Sequence, residues 1–389
     1  MVNNTFGSVK KSIIFLLIYV LNVASNNISL PGYGRPSGIF YAFILLIGVY
    51  IFFKKIVNGS PFVLPLFFRI NFLILLFFSL IGGIIIQDYR VIYIYYSFVL
   101  LFLIVWSVSL DALIFDNSKM VALLTTNYII VANLIMLVIG FMFNGISIFR
   151  YEGIFDMPNS MGRFSGYSLV LTVTYILFLH KSNRYSILPL LVTLMSFATL
   201  ILSNSRTAML SSFIAIVILV SVYAKIKRIK GKAFLFFLFF IAFTLFLLNI
   251  YFYEILEIFM FKFNRGDGSS GRFDLWESGI QYFNFFGSSE YNNLSSRIDV
   301  HNNYLSQVLK YGVVPGIAFH LIPLFLFIKS YKRIIQIKNN VFSLAVVLGM
   351  SSFLLVYYLF ETSSIIAPFL LMLIYTGLSY KDIFFKRSL

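Results

Sequence analysis

The chain of 389 residues has no cysteine, which excludes a disulfide framework, thiol catalysis and any thiolate-ligated metal. Histidine is scarce at three residues, and only 11% of the chain is charged. Acids are the scarcer sign, with fourteen Asp and Glu against thirty Lys and Arg, for a formal net charge of +16. Neither a low-complexity tract nor an internal repeat is visible. What the chain has in abundance is hydrocarbon: 60% hydrophobic residues, 47 phenylalanines and a mean hydropathy of +0.92. A water-soluble fold of this length cannot cover so much apolar surface with so little charge. The sequence therefore reads as an all-α polytopic membrane protein, one integral domain over residues 1–389.

Windows of about twenty apolar residues predict about twelve transmembrane helices, at 12–29, 38–53, 68–86, 90–110, 120–144, 165–180, 185–203, 206–224, 233–251, 304–328, 341–360 and 364–380. Lys10 and Lys11 precede the first apolar run and no small-residue cleavage site follows, so that run is expected to be retained as a span. With both termini cytoplasmic, nineteen of the thirty Lys and Arg fall inside and nine outside, while eleven of the fourteen acids fall outside. This is the asymmetry that membrane insertion imposes on basic residues. The net charge is thus a topology signal rather than a nucleic-acid footprint, and no nucleic acid partner is expected. Two outside loops are long, 145–164 and 252–303. The inside loops are short and lysine-rich, so a reaction centre is expected to face the periplasm or cell exterior, where no nucleoside triphosphate is on hand.

The candidate site residues cluster on that side. Arg206 lies in SNSRTA at a span start, where Ser203, Asn204 and Ser205 suit helix capping and free N–H groups add partial positive charge. A guanidinium there suits phosphate oxygens; the plainer reading is an interfacial arginine reaching lipid headgroups. Arg272 lies in DGSSGRFDLWESGIQYF, where Phe273, Trp276, Ile280 and Phe283 draw one apolar stripe on a helix. The segment reads as a short amphipathic helix on the outer membrane surface, with Arg272 in its first turn. His301 stands where HNNYLSQVL passes from polar loop to apolar helix, and a wet imidazole there suits a general base as well as a helix cap. His320 is nineteen residues further along the same predicted helix, about 28 Å at 1.5 Å per residue, and His180 falls at a cytoplasmic end. No two histidines are therefore expected to meet on one ion, and no metal site is expected. Gly312 and Gly316, around Pro315, read as close helix packing with a kink. Arg150, Arg163 and Arg265 are weaker anion-binding candidates, each also readable as a solvated loop charge, and Glu361 is a further acid or base. Ser203 and Ser205 have no paired histidine and acid nearby, so a serine-triad hydrolase has no local support.

The order of outer motifs, S-N-S-R-T-A, then S-G-R-x-x-x-W in a late loop, then H-N-x-x-L followed by K-Y-G-V-V-P-G, resembles the Wzy/WaaL superfamily of O-antigen and capsule polymerases and O-antigen ligases. The resemblance covers residues 145–330 in motif order. It implies a GT-C-type membrane glycosyltransferase at the periplasmic face of the bacterial inner membrane, with no metal, nucleotide sugar or other cofactor. The donor it implies is an undecaprenyl-pyrophosphate-linked oligosaccharide, held by Arg206 and Arg272, with His301 beside the acceptor hydroxyl. Arg150, Arg163, Arg265, Asn302 and Glu361 are the candidate substrate-binding residues read alongside them. Other implied contacts are membrane lipids and a chain-length regulator of the Wzz type. The ligase signature runs His, a small polar residue, nine residues, Gly, two residues and a small residue. His301, Asn302 and Gly312 fit it, whereas Pro315 stands at the last position and Gly316 follows one later. The aromatic- and isoleucine-rich composition and modest late loop resemble polymerases, whose acceptor is another lipid-linked repeat unit, more than ligases, whose acceptor is lipid A–core. A lipid-linked oligosaccharide flippase would instead call for charges within spans and for repeat symmetry.

Overall fold

The computed structural model describes residues 2–27, 46, 64–114, 118–144, 151–155, 157–179, 187–227, 272–294, 300–337, 341–361 and 367–384. The predicted spans 38–53, residue 46 apart, and 233–251 lie outside them. In chain order the described helices are α1 (Val2–Asn27), α2 (Leu66–Ile85), α3 (Tyr89–Ile114), α4 (Ser118–Asn144), α5 (Pro158–Leu179), α6 (Ile187–Leu202) and α7 (Arg206–Lys227). They continue with α8 (Arg272–Ile280), α9 (Ser289–Leu294), α10 (Asn303–Tyr311), α11 (Val313–Gln336), α12 (Val341–Tyr357), α13 (Ala367–Leu378) and α14 (Tyr380–Phe384). Five of them, α2, α4, α5, α7 and α11, are long and apolar enough to cross a membrane by length and composition. The described residues form helices and no sheet, the architecture of a multi-pass membrane protein.

Helices α12 and α13 are apolar on every side and form the centre. Nearly every side chain from Phe342 to Leu354, and every one from Ala367 to Leu378, is buried, as an all-round hydrophobic helix requires. Helices α5, α7, α11 and α13 surround α12. Outer helices show the opposite pattern. On α2, Leu66, Leu73, Phe77 and Ile84 stay exposed along one face, while Phe68, Phe72 and Leu75 turn inward. Exposed leucines on such a face are the surface that lipid covers.

Between membrane helices the apolar gain of leaving water is absent, so close contact must come from small residues. Helix α5 shows this at Gly162 and Gly166. A Cβ on Gly166 would meet Ser212 Oγ at 2.6 Å and Phe353 at 3.0 Å, and one on Gly349 would meet Val170 and Leu219 at 3.0 Å. These contacts set α5 and α7 parallel, with their starts at one end of the bundle, and set α12 antiparallel to both.

The predicted span 304–328 is not a single helix. Gly312 takes φ +98°, a left-handed value open to glycine, and its backbone lies so near Phe285 that a Cβ would come within 2.9 Å of that carbonyl oxygen. The chain reverses there. Helix α10 runs back along α11, with Gly316 against Val308, and Pro315 sits in the first turn of α11, where its missing N–H costs nothing. Hydropathy sees one apolar run in this hairpin because both arms are apolar where they meet.

Candidate active site

The reversal at Gly312 decides where His301 lies. Asn303, two residues on, places its side-chain Nδ2 3.2 Å from His320 Nε2, seven residues into α11. The start of α10 is therefore recessed about 10 Å below the start of α11 at 1.5 Å per residue. The expected 28 Å between His301 and His320 along one helix is overturned, because they stand on two arms of a hairpin. His301 takes φ +46°, a strained value held from both sides. Trp276 Nε1–H donates to the Val300 carbonyl at 2.7 Å, and the Asn303 N–H donates to Tyr358 O at 2.8 Å. Asn302 is the N-cap of α10, its Oδ1 accepting from Leu305 N at 3.0 Å.

His301 Nδ1 lies 3.9 Å from Glu361 Oε2, and its side chain is 41% exposed against 11% for the carboxylate. Asn159, in the first turn of α5, donates to Glu361 Oε1 at 3.3 Å. One carboxylate therefore joins the end of α12, the start of α5 and the start of α10.

Helix α7 starts against the same turn of α5. Ser203 and Asn204 carry the chain out of α6, with Asn204 at φ +51°, which asparagine tolerates better than most residues. A Cβ on Gly162 would come within 2.3 Å of Ser205 Cβ. Two helix starts thus abut, each presenting the positive end of its dipole. Arg206, half-buried, opens α7. Arg163 lies in α5 and is only 7% exposed, which corrects its reading as a solvated loop charge: α5 begins at Pro158, seven residues before the predicted start. Proline at a first helical position was the signal for that earlier start. The Arg163 guanidinium acts electrostatically on the buried Tyr358 side chain. Arg163 is thus within electrostatic reach of the residue that holds Asn303.

Arg272 is the first residue of α8. The expected apolar stripe is split. Trp276 faces Val300, and Gly279 lies where a Cβ would meet Val300 at 2.5 Å and Leu309 at 3.2 Å, whereas Ile280 and Phe283 are exposed. Helix α8 leans on α10 as well as presenting an apolar face. Arg150 and Arg265 lie outside the described residues. Asn159, Trp276, Asn303 and His320 are the members of this constellation that the sequence did not single out as site residues. Among the described residues no three His, Asp or Glu meet as a metal-ligand set.

Residues 190–321 match the family model described as O-antigen ligase. The matched stretch runs from α6 into α11 and takes in Arg206, Arg272, His301 and Asn302, while Arg163 and Glu361 lie outside it. No curated protein matches the chain. The match supports the polymerase and ligase branches of the resemblance alike.

Proposed function

We propose, from the premise that the segment 190–321 belongs to the Wzy/WaaL superfamily, that this chain is an O-antigen or capsule polymerase of GT-C type. In this reading it has twelve spans with both termini cytoplasmic, forms one integral domain, and works at the periplasmic face of the inner membrane. The observation that carries the reading is the His301–Glu361 pair, recessed beside the abutting starts of α5 and α7.

The chemistry follows from those groups. Pyrophosphate is already a good leaving group, so the protein's work is to position the reactants and stabilise the charge that develops on departure. Arg206 and Arg272, each at a helix start, hold the pyrophosphate of the undecaprenyl-linked donor with forked N–H donors. Arg163 adds positive charge behind them, and Arg150 and Arg265 assist from the outer loops. The acceptor hydroxyl attacks the anomeric carbon in line, and its oxygen–carbon bond forms as the carbon–phosphate oxygen bond breaks. The electron pair leaves on the pyrophosphate, the hydroxyl proton passes to His301, and the anomeric centre inverts. Glu361 faces the Nδ1 edge of His301 and stabilises the imidazolium as it forms, the part a carboxylate plays beside a catalytic histidine elsewhere. Asn302 fixes the backbone that presents the ring. Product length is set by a chain-length regulator of the Wzz type.

The description of the matching family favours a second reading, an O-antigen ligase whose acceptor is lipid A–core. One experiment separates them. Purified chain in lipid nanodiscs is given the lipid-linked repeat unit alone, then with lipid A–core. A ladder of longer lipid-linked glycans from the first mixture supports the polymerase, transfer only in the second supports the ligase, and no transfer in either refutes both.

A further inference from the structure

Beside His301 a chain of buried polar side chains runs from α3 through α10 to α11, its donors all pointing one way. Tyr95 of α3 donates its hydroxyl proton to Gln307 Oε1 at 3.0 Å. Gln307 Nε2 donates to Asn303 Oδ1 at 3.3 Å, and Asn303 Nδ2 meets His320 Nε2 at 3.2 Å. His320 Nδ1 in turn lies 2.7 Å from the Gly316 carbonyl. A carbonyl only accepts, so Nδ1 carries the proton. Nε2 of the neutral ring is then the acceptor that the Asn303 amide needs. The two amides, Gln307 and Asn303, are oriented so that each donates to the next group in the series. The imidazole is also clasped by rings: Tyr304 at 4.2 Å, Phe319 at 5.2 Å and Tyr358 at 5.5 Å between centroids.

From this geometry we infer that His320 is a positioning residue for His301. It holds Asn303 from the side-chain end while Tyr358 O holds it from the backbone, and so fixes the first residue of α10. His301, at a left-handed φ, depends on that fixed point, since positive φ is uncommon for any residue but glycine. The series ties the ring to α3 and α11, two helices outside the Glu361 contact. A buried donor left without its acceptor is destabilising, so an unanchored α10 start relaxes and carries His301 out of reach of Glu361.

The inference rests on the reading of His301 as the base, so its test has one arm that needs no turnover. The chain has only three histidines, His180, His301 and His320, and ¹⁵N-histidine labelling of the full protein in nanodiscs resolves each ring. At pH 7 one ring, assigned by its loss in His320→Gln, should show the Nδ1–H tautomer. Asn303→Leu should shift both that signal and the His301 signal. In the kinetic arm, His320→Gln keeps an acceptor for Asn303 and should hold turnover within about threefold. His320→Phe should lower kcat about tenfold to a hundredfold, the range seen for partners that orient a reacting group, with donor KM unchanged. Where His320→Phe does not fold, Asn303→Leu takes its place. Wild-type kcat in the Phe variant, or equal losses in the Gln and Phe variants, overturns the proposal, as does a His301 signal that ignores Asn303→Leu. If the wild type transfers no glycan while the ring signals behave as expected, the functional reading falls and the positioning of His301 by His320 stands.

Discussion

Helices α7 and α10 both begin on a polar motif carrying a candidate residue, SNSR in one and HNN in the other, and then differ in every respect. Helix α7 runs 22 residues and ends on Lys225 and Lys227, a full span whose start coincides with the one predicted. Helix α10 runs nine residues, stops at Gly312 and folds back on α11. The difference lies in what fixes each start. The start of α7 rests on its neighbour through Gly162, so Arg206 is placed by packing between two parallel helices. The start of α10 is fixed by hydrogen bonds from Trp276, Tyr358 and His320, so His301 is placed by polar contacts from three other elements. A charged group that only binds can stand on a rigid span, whereas a proton acceptor needs its ring aimed.

That contrast predicts a division of labour, tested first by His301→Ala. Turnover should fall by about 10²–10⁴-fold, the usual share of a general base, while donor affinity measured separately stays near wild type. Unchanged turnover at equal expression would return His301 to a helix cap. Arg206→Lys should follow at about 10²–10³-fold, the cost of losing one charge-stabilising donor, because an ammonium keeps the charge but not the fork. Here donor binding should weaken as well. An effect confined to kcat would place Arg206 with the chemistry instead of the binding.

Gly312→Ala should leave α7 intact and disturb α10. The left-handed φ and the 2.9 Å approach to Phe285 O together cost about 1–3 kcal/mol, readable as a lower Tm in detergent with turnover reduced and donor affinity kept. Trp276→Phe removes one neutral hydrogen bond to Val300 O and should cost about 1 kcal/mol. Its kcat should fall by less than that of His301→Ala, and equal losses would mean that the indole itself touches substrate. The smallest effect expected is none: on the reading that Arg206 and Arg272 carry the charge of the departing pyrophosphate, excess EDTA should leave transfer unchanged. Loss of activity restored by magnesium or manganese would reveal a ligand set that this reading lacks.

The legible part of the site was the part encoded locally. Arg206 was found because capping residues, an arginine and an apolar run follow one another within a few positions, and the start of α7 depends on little else. The Glu361–His301 contact was not legible, as sixty residues separate the two and only the antiparallel course of α12 against α5 brings Asn159 and Glu361 to the base of α10. Arg163, an anion-binding candidate, was also readable as a solvated loop charge because hydropathy begins a span where the apolar residues begin. Proline at a first helical position and two glycines facing α7 carry α5 further out and bury the cation. The α10–α11 hairpin was missed for a related reason. Averaging over a window cannot distinguish one apolar helix from two that lie against each other, and the residue that decides it is a single glycine.

The sequence by itself determined the class of molecule, because hydropathy is a sum over residues that act independently on a bilayer, and its loop charge set the expectation that the chemistry lies outside. It also determined which residue types were at hand: arginines at helix starts, one histidine at a polar-to-apolar boundary, and no thiol. Only the tertiary structure decided which of these meet. The depth of His301, its carboxylate neighbour and the burial of Arg163 each depend on a contact between segments far apart in the chain, and the backbone reversal at Gly312 and the close approach at Gly162 are among the contacts that set them. Such contacts are products of mutual fit, with no counterpart in any single stretch of residues.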